Sequence, residues 1–206
     1  MNKSSSLRIL MVPSDVNLAR TLNPYQFLLS QALVDQGVSV DNWPYWQGKL
    51  PIFKAAMARE KHFDLVHIHW IYFNITGKNR YLYFFSCLKF LFDILITRLA
   101  GFKFVWTVHN YLGHNSKFPG LELWTRRLFV KLVDRIICLN KMTVETIAKE
   151  YKFNPRKAIV IPHGHYRDVY DKPVDLVEAR KELNLPESGK VYLNSVSYTH
   201  LTLPTT

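Results

Sequence analysis

Four histidines fall at or near the ends of short apolar runs: His67 and His69 in VHIHW, His109 in KFVWTVHN and His163 in IVIPHGHY. An imidazole beside a carboxamide, as at His109 and Asn110, offers donors and acceptors suited to sugar hydroxyls and to a phosphate. A histidine at a strand end also serves as a plain hydrogen-bonded structural residue, and the four residues TVHN by themselves leave both readings open. His67 and His69 alternate and therefore share one face of their strand. As a metal pair they would need a carboxylate or a third imidazole, and no HExxH or comparable spacing supplies one. His67 is therefore expected as a core histidine and His69, nearer the strand end, as the site candidate; no metal is expected. Gly164, between His163 and His165, permits a turn or the close approach of a ligand.

These residues need elements to carry them. Strands are expected at residues 7–12, 38–43, 63–70, 103–109, 135–140, 157–162 and, last, at the KVYL of 190–193. Helices are expected after Asn23, as the N-cap with Pro24 at the first helical position, as far as Gly37; from Tyr81 to about Leu99, stopped by Gly101; and over 121–133, 143–151 and 174–184. Apolar strands with little alternation, separated by helices, specify a doubly wound parallel α/β sheet of Rossmann-like type, covered on both faces. In such a sheet all strands end at one edge, where ligands bind. The residues delivered there are Pro13, Ser14 and Asp15; His69 and Trp70; His109 and Asn110; Asn140; and His163 and Gly164. The first loop, residues 13–26, lacks GxGxxG, so no nicotinamide or flavin cofactor is expected, although the helix starting at Pro24 still offers its free N–H groups to an anion.

The net charge of +11 asks for an anionic partner. Basic residues gather at Lys78, Arg80, Lys89, Arg98 and Lys103, then at Lys117, Arg126, Arg127, Lys131 and Arg135, interleaved with aromatic residues and leucine. That pattern fits helices lying on an anionic bilayer, and it equally fits ordinary solvated helix faces. No nucleic-acid-binding signature accompanies it, so nucleic acid is not an expected partner. Lys89, Asp93 and Arg98 interrupt the apolar run of 81–101, which reads as a buried or interfacial helix and not as a membrane span. Cys87 and Cys138 sit in apolar runs without CxxC spacing and are expected as reduced core thiols. The N-terminus has no signal-peptide pattern, so the expected location is the cytoplasm, peripheral to the inner face of the plasma membrane if the basic helices dock there.

FDLVHIHW, FVWTVHN and IVIPHGHY, in that order at strand ends, resemble the N-terminal half of a GT-B glycosyltransferase of the large retaining family 4 group. The turn Asn23–Pro24–Tyr25 is similar to that of bacterial members that build capsular or exopolysaccharide. The resemblance covers about residues 7–193. It implies two Rossmann-like domains across a cleft, an N-terminal one for a glycan or lipid-linked acceptor and a C-terminal one for a nucleotide-sugar, which is a substrate, so that no cofactor is implied. His109 would lie beside the transferred sugar as a positioning and electrostatic residue, with Asn110 nearby. The loop around Asn17, Asn23 and Tyr25 would line the acceptor pocket, Asp15 and His69 would be further substrate-binding residues, and His163 and Gly164 would enter the interdomain cleft. Where the family often has a glycine pair, this chain has Ser14 and Asp15. The implied chemistry is retaining transfer of hexosyltransferase type, with no assured nucleophile and no assigned general base.

Domain organisation follows: residues 1–193 form the acceptor domain, with 173–193 approaching the interdomain linker. Residues 194–206, SVSYTHLTLPTT preceded by Asn194, have no apolar period and read as translated sequencing-adapter sequence, so the natural chain is expected to be longer and this fragment inactive. Two other readings stay open. A GT-B-like nucleotide-sugar epimerase should lack the basic, aromatic surface, and a non-catalytic α/β glycan- or partner-binding module would never bind a nucleotide-sugar. A metal-dependent hydrolase built on His67, His69, His109 and His163 comes last, and it predicts stoichiometric metal.

Overall fold

The computed structural model describes residues 7–12, 24–43, 49–58, 63–113, 116–166 and 174–192. Asp15, Asn17 and Asn23, together with the tail from residue 193, lie outside the described residues. Two compact units divide at Tyr166 and Arg167.

In the first unit, six strands form one parallel sheet in the order β2-β1-β3-β4-β5-β6. They are β1 (Arg8–Val12), β2 (Ser39–Asn42), β3 (Leu65–Ile68), β4 (Lys103–Val108), β5 (Arg135–Cys138) and β6 (Ala158–Val160). The helices between them are α1 (Tyr25–Asp35), α2 (Pro51–Ala56), α3 (Arg80–Leu99), α4 (Pro119–Leu132) and α5 (Lys141–Tyr151). The fold is the expected doubly wound, Rossmann-like α/β sheet.

Strand alternation sorts the side chains. Leu10, Val12, Val66, Ile68, Phe104, Trp106, Val108, Ile136 and Cys138 enter one core with Ile52, Phe90, Ile94, Phe129 and Ile147 from the helices. Residues at the intervening positions, Met11, His67 and Thr107 among them, point to the opposite face, where the Ser30 hydroxyl of α1 lies 3.1 Å from Asn42 Oδ1 and 3.4 Å from the Met11 sulfur and gives its one proton to one of them.

Helix ends follow their local chemistry, with some differences from expectation. Pro24 occupies the cap of α1 and not its first turn, and Gly37, at φ 80°, donates to Val34 O at 2.8 Å to close it. Gly101, at φ 100°, does the same for α3 by donating to Arg98 O. Asn79 and Asn140 cap α3 and α5 by accepting from Leu82 N and Thr143 N, so Asn140 is committed to its helix and is not free for the sheet edge.

The helix α2 was not legible in the sequence, because its cap comes from elsewhere in the chain. Leu50 precedes it in the left-handed region and offers no side-chain cap. Asp93, buried on α3, accepts from Ile52 N at 3.0 Å and Phe53 N at 2.9 Å. Burial pushes the Asp93 carboxyl up, and the two N–H groups oppose that shift. The charge inside the apolar run of α3 is thus an N-terminal cap for its neighbour. Arg98 donates to Asp134 at 2.9 Å. Among the described residues no helix is long and apolar enough to cross a membrane.

Cys87 and Cys138 are buried and unpaired, and burial pushes the Cys138 thiol up to about 11. The second unit holds α6 (Leu176–Glu182), capped by Asp175, which accepts from Val177 N at 2.9 Å. Lys190–Tyr192 form no strand, contrary to expectation for KVYL. A strand needs a neighbour to pair with, and among the described residues these three have none.

Candidate functional site

Parallel pairing puts the ends of β3, β4 and β6 on one edge. Ile68 lies opposite Trp106, and the His69 amide continues the ladder to Val12 O at 2.9 Å. His67 and His69 share the face of the sheet that Tyr25 approaches from α1, as do Thr107 and His109. The period of two that made these histidines conspicuous in the sequence is what stacks them in space.

His67 Nε2 lies 2.8 Å from Thr107 Oγ1, and its ring is buried. Thr107 also hydrogen-bonds the Tyr25 hydroxyl. One hydroxyl proton serves one acceptor, so Thr107 donates to one of these partners and accepts from the other. His69 Nδ1 meets His109 Nε2 at 3.1 Å. That bond needs one donor and one acceptor, which two neutral rings provide and two charged rings cannot. Burial, reinforced by the nearby His109, pushes His67 down to about 4. Burial, with a smaller contribution from His163, pushes His109 down to about 4. Burial and the other two imidazoles hold His69 well below its ordinary value. At neutral pH this cluster is uncharged.

Aromatic packing fixes the rings. Trp70 stacks on His109, with centroids 4.5 Å apart and planes 24° apart. Tyr25 meets His109 edge-on at 4.8 Å and His163 at 4.9 Å. Burial raises the Tyr25 hydroxyl, opposed by its hydrogen bond to Thr107. His163 Nδ1 donates to Gly164 O at 2.8 Å, and its Nε2 lies 3.1 Å from the Tyr166 hydroxyl. A Cβ at Gly164 would meet nothing within 4 Å, so sterics do not demand glycine there.

The β4–α4 loop carrying Asn110 is held from below. Arg126 is 2% exposed, donates to Glu122 Oε1 at 2.6 Å, to Asn110 O at 2.9 Å and to the Tyr151 hydroxyl at 3.2 Å. Glu122 Oε1 also accepts from Gly113 N at 2.8 Å. Arg126 therefore does not belong to the basic surface where its sequence neighbours suggested it. Its burial depends on a glutamate one helical turn away, a pair spaced as in any solvated helix.

A small recess opens beside these groups, with about 170 Å³ of empty space that is partly open to solvent. His69, Trp70, Thr107, His109, Asn110 and Arg126 are among its walls. His69 Nε2 is buried there with no hydrogen-bond partner among the described residues. A buried imidazole nitrogen without a partner is costly and suits a ligand hydroxyl or carbonyl. Among the described residues no group of three or more His, Cys, Asp or Glu is arranged to hold a metal ion.

Of the residues expected at the site, Tyr25, His69, His109, Asn110, His163 and Gly164 gather at this edge. Thr107, Tyr166 and Arg126 were not among them. Thr107 could have been found from its odd-numbered place two residues before His109; Tyr166 and Arg126 carried no signal.

None of the curated proteins matches the chain. A solved structure of HepE from Anabaena, in complex with UDP and glucose, is similar at 14% identity over 87% of this chain and 50% of that one, with a TM-score of 0.46. The chain thus spans half the length of that protein. Residues 31–166, which include β3, β4 and the whole histidine cluster, match Glycosyltransferase Family 4, and the chain belongs to that family.

Proposed function

We propose that this chain is the acceptor-binding part of a retaining glycosyltransferase, of hexosyltransferase type, that moves a sugar from a nucleotide-sugar to a glycan or lipid-linked acceptor in bacterial surface polysaccharide synthesis. The observation that carries the reading is the uncharged His69–His109 pair, clamped by Trp70 and Tyr25 at the carboxyl edge of a parallel sheet in a family 4 chain. Neutral imidazoles in a partly dry recess present hydrogen-bond groups to sugar hydroxyls without adding a charge that would have to be desolvated.

In this reading the nucleotide-sugar is gripped by a second domain outside these residues, and the 206 residues alone do not complete the site. The bond from the anomeric carbon to the diphosphate breaks as the acceptor hydroxyl oxygen bonds to that carbon on the same face, and the hydroxyl proton passes to the departing phosphate oxygen. His109 positions the transferred sugar, Asn110 lies beside it, and Tyr25 borders the acceptor, with Asn17 and Asn23 of the preceding loop proposed to bind it and Asp15 proposed as a further substrate-binding residue. His163 and Gly164 lie on the side that faces the donor. No cofactor takes part. The protein works in the cytoplasm, attached to the inner face of the membrane.

The test is to express the full reading frame that contains this segment and to assay sugar transfer from a panel of nucleotide-sugars to membrane-extracted acceptors, with His109→Ala alongside. The expected result is transfer that falls by about a hundredfold or more in the variant, the scale of losing a positioned hydrogen-bond group. An intact protein that binds no nucleotide-sugar refutes the reading.

A further inference from the structure

The outward side of α3 is as apolar as its inward side. Inward, Tyr83, Cys87, Phe90, Ile94 and Thr97 are buried. Outward, Tyr81, Phe85, Leu88, Phe92, Leu95 and Leu99 repeat at the same alternating spacing of four and three, with exposures from 39% at Leu88 to 77% at Tyr81 and Leu99. Phe84 on α3 and Trp124 on α4, both 36% exposed, widen the row, their rings 5.8 Å apart. A 20-residue helix is about 30 Å long, so this is a continuous apolar band and not the scattered exposure of an ordinary surface.

Over residues 78–132, which build the band, the exposed charges have one sign, and the nearest carboxylate beyond them, Asp134, is paired with Arg98. Between Lys78 and Leu132 the acidic residues are Asp93 and Glu122, and both are buried, one capping α2 and the other paired with Arg126. Lys78, Arg80, Lys89, Lys103, Lys117 and Lys131 are all exposed. A second copy is a poor occupant: antiparallel pairing along the band would bring Lys89, near the middle of α3, towards its own equivalent, with no exposed carboxylate on either helix to meet it. A bilayer with anionic headgroups satisfies both features, taking the apolar row to the depth of the headgroup boundary and the lysines to its phosphates.

We infer that the outer surface of α3, widened by Trp124 of α4, is the face that docks on an anionic membrane. The inference deepens the proposed membrane attachment and rests on it. It uses none of the residues of the histidine cluster.

The test uses the 206-residue chain and sedimentation with vesicles of phosphatidylcholine alone, or mixed with phosphatidylglycerol at about two to one, at low and high salt. Two variants accompany it, Phe85→Ser/Phe92→Ser and Lys89→Glu/Lys131→Glu, each checked for an unchanged circular dichroism spectrum and thermal midpoint. All four charge and apolar positions are solvent-facing, so the variants keep the core intact. The expected result is binding to the mixed vesicles only, weakened by high salt, and on the order of a hundredfold weaker for the double serine variant. The double glutamate variant is expected to lose at least tenfold. Failure of the wild-type chain to bind either vesicle refutes membrane attachment itself. Binding that survives in both variants leaves attachment standing and overturns this face. A lipid-free dimer that Phe85→Ser/Phe92→Ser dissociates overturns it in favour of a second copy.

Discussion

The neutral histidine cluster makes the stability of the first unit depend on mild acid, and the size of that dependence can be worked out for His67. Its ordinary value of 6.5 falls to about 4 in the folded protein, chiefly through burial. Between those values the unfolded chain binds a proton that the folded chain refuses. The contribution is therefore complete above about pH 6.5 and is lost as pH falls towards about 4. At about pH 5 the unfolded imidazole is favoured by a factor of about 30, which is roughly 2 kcal/mol. For a domain stable by about 5–15 kcal/mol this is a large share. His67→Gln removes the titration while keeping a polar group near Thr107 Oγ1, its present partner at 2.8 Å. The measurement is urea unfolding followed by tryptophan fluorescence at about pH 7.5 and about pH 5. All five tryptophans lie within Met1–Tyr166, so the signal reports the unit that holds the cluster. The wild-type chain should lose about 2 kcal/mol more than His67→Gln across that interval. Equal losses, or an NMR titration of the His67 ring near 6.5, would refute the reasoning.

Other expectations follow from single contacts. Asp93→Ala strips the α2 N-terminus of its two acceptor bonds and should cost about 2–3 kcal/mol in a denaturation midpoint analysis, with hydrogen exchange rising first at Ile52 and Phe53. Glu122→Gln leaves Arg126 buried without its anion and should cost about 3–5 kcal/mol, whereas Glu122→Gln combined with Arg126→Met should recover much of that loss. Gly77→Ala would put a Cβ 2.3 Å from Tyr83 N at the start of α3, so the backbone must shift; a melting temperature equal to wild type would show that the turn has room to move. Tyr25→Phe removes the hydroxyl that bonds Thr107 and should cost about 1 kcal/mol while leaving the edge contact to His109 in place, as read by unfolding and by the His109 ring signals.

The sequence by itself determined the sheet and the identity of most of its edge. Apolar runs of strand length separated by helical periods admit few arrangements, and once strands are parallel their ends must coincide, so His69, His109 and His163 could be named together before any contact was known. The short range of these signals is why they survive in a linear string: a period of two, a period of 3.6, a cap and a glycine stop act within a few residues. Tertiary structure alone decided what depends on partners far apart in the chain. Asp93 became the cap of a helix about 40 residues earlier, and Arg126 left the basic surface because Glu122, Asn110 and Tyr151 converge on it. Lys190–Tyr192 stayed outside any strand for want of a neighbour among the described residues. The protonation of the cluster belongs to the same class, since an imidazole loses its charge through burial and through other imidazoles about 5 Å away, and neither is written in the residues beside it.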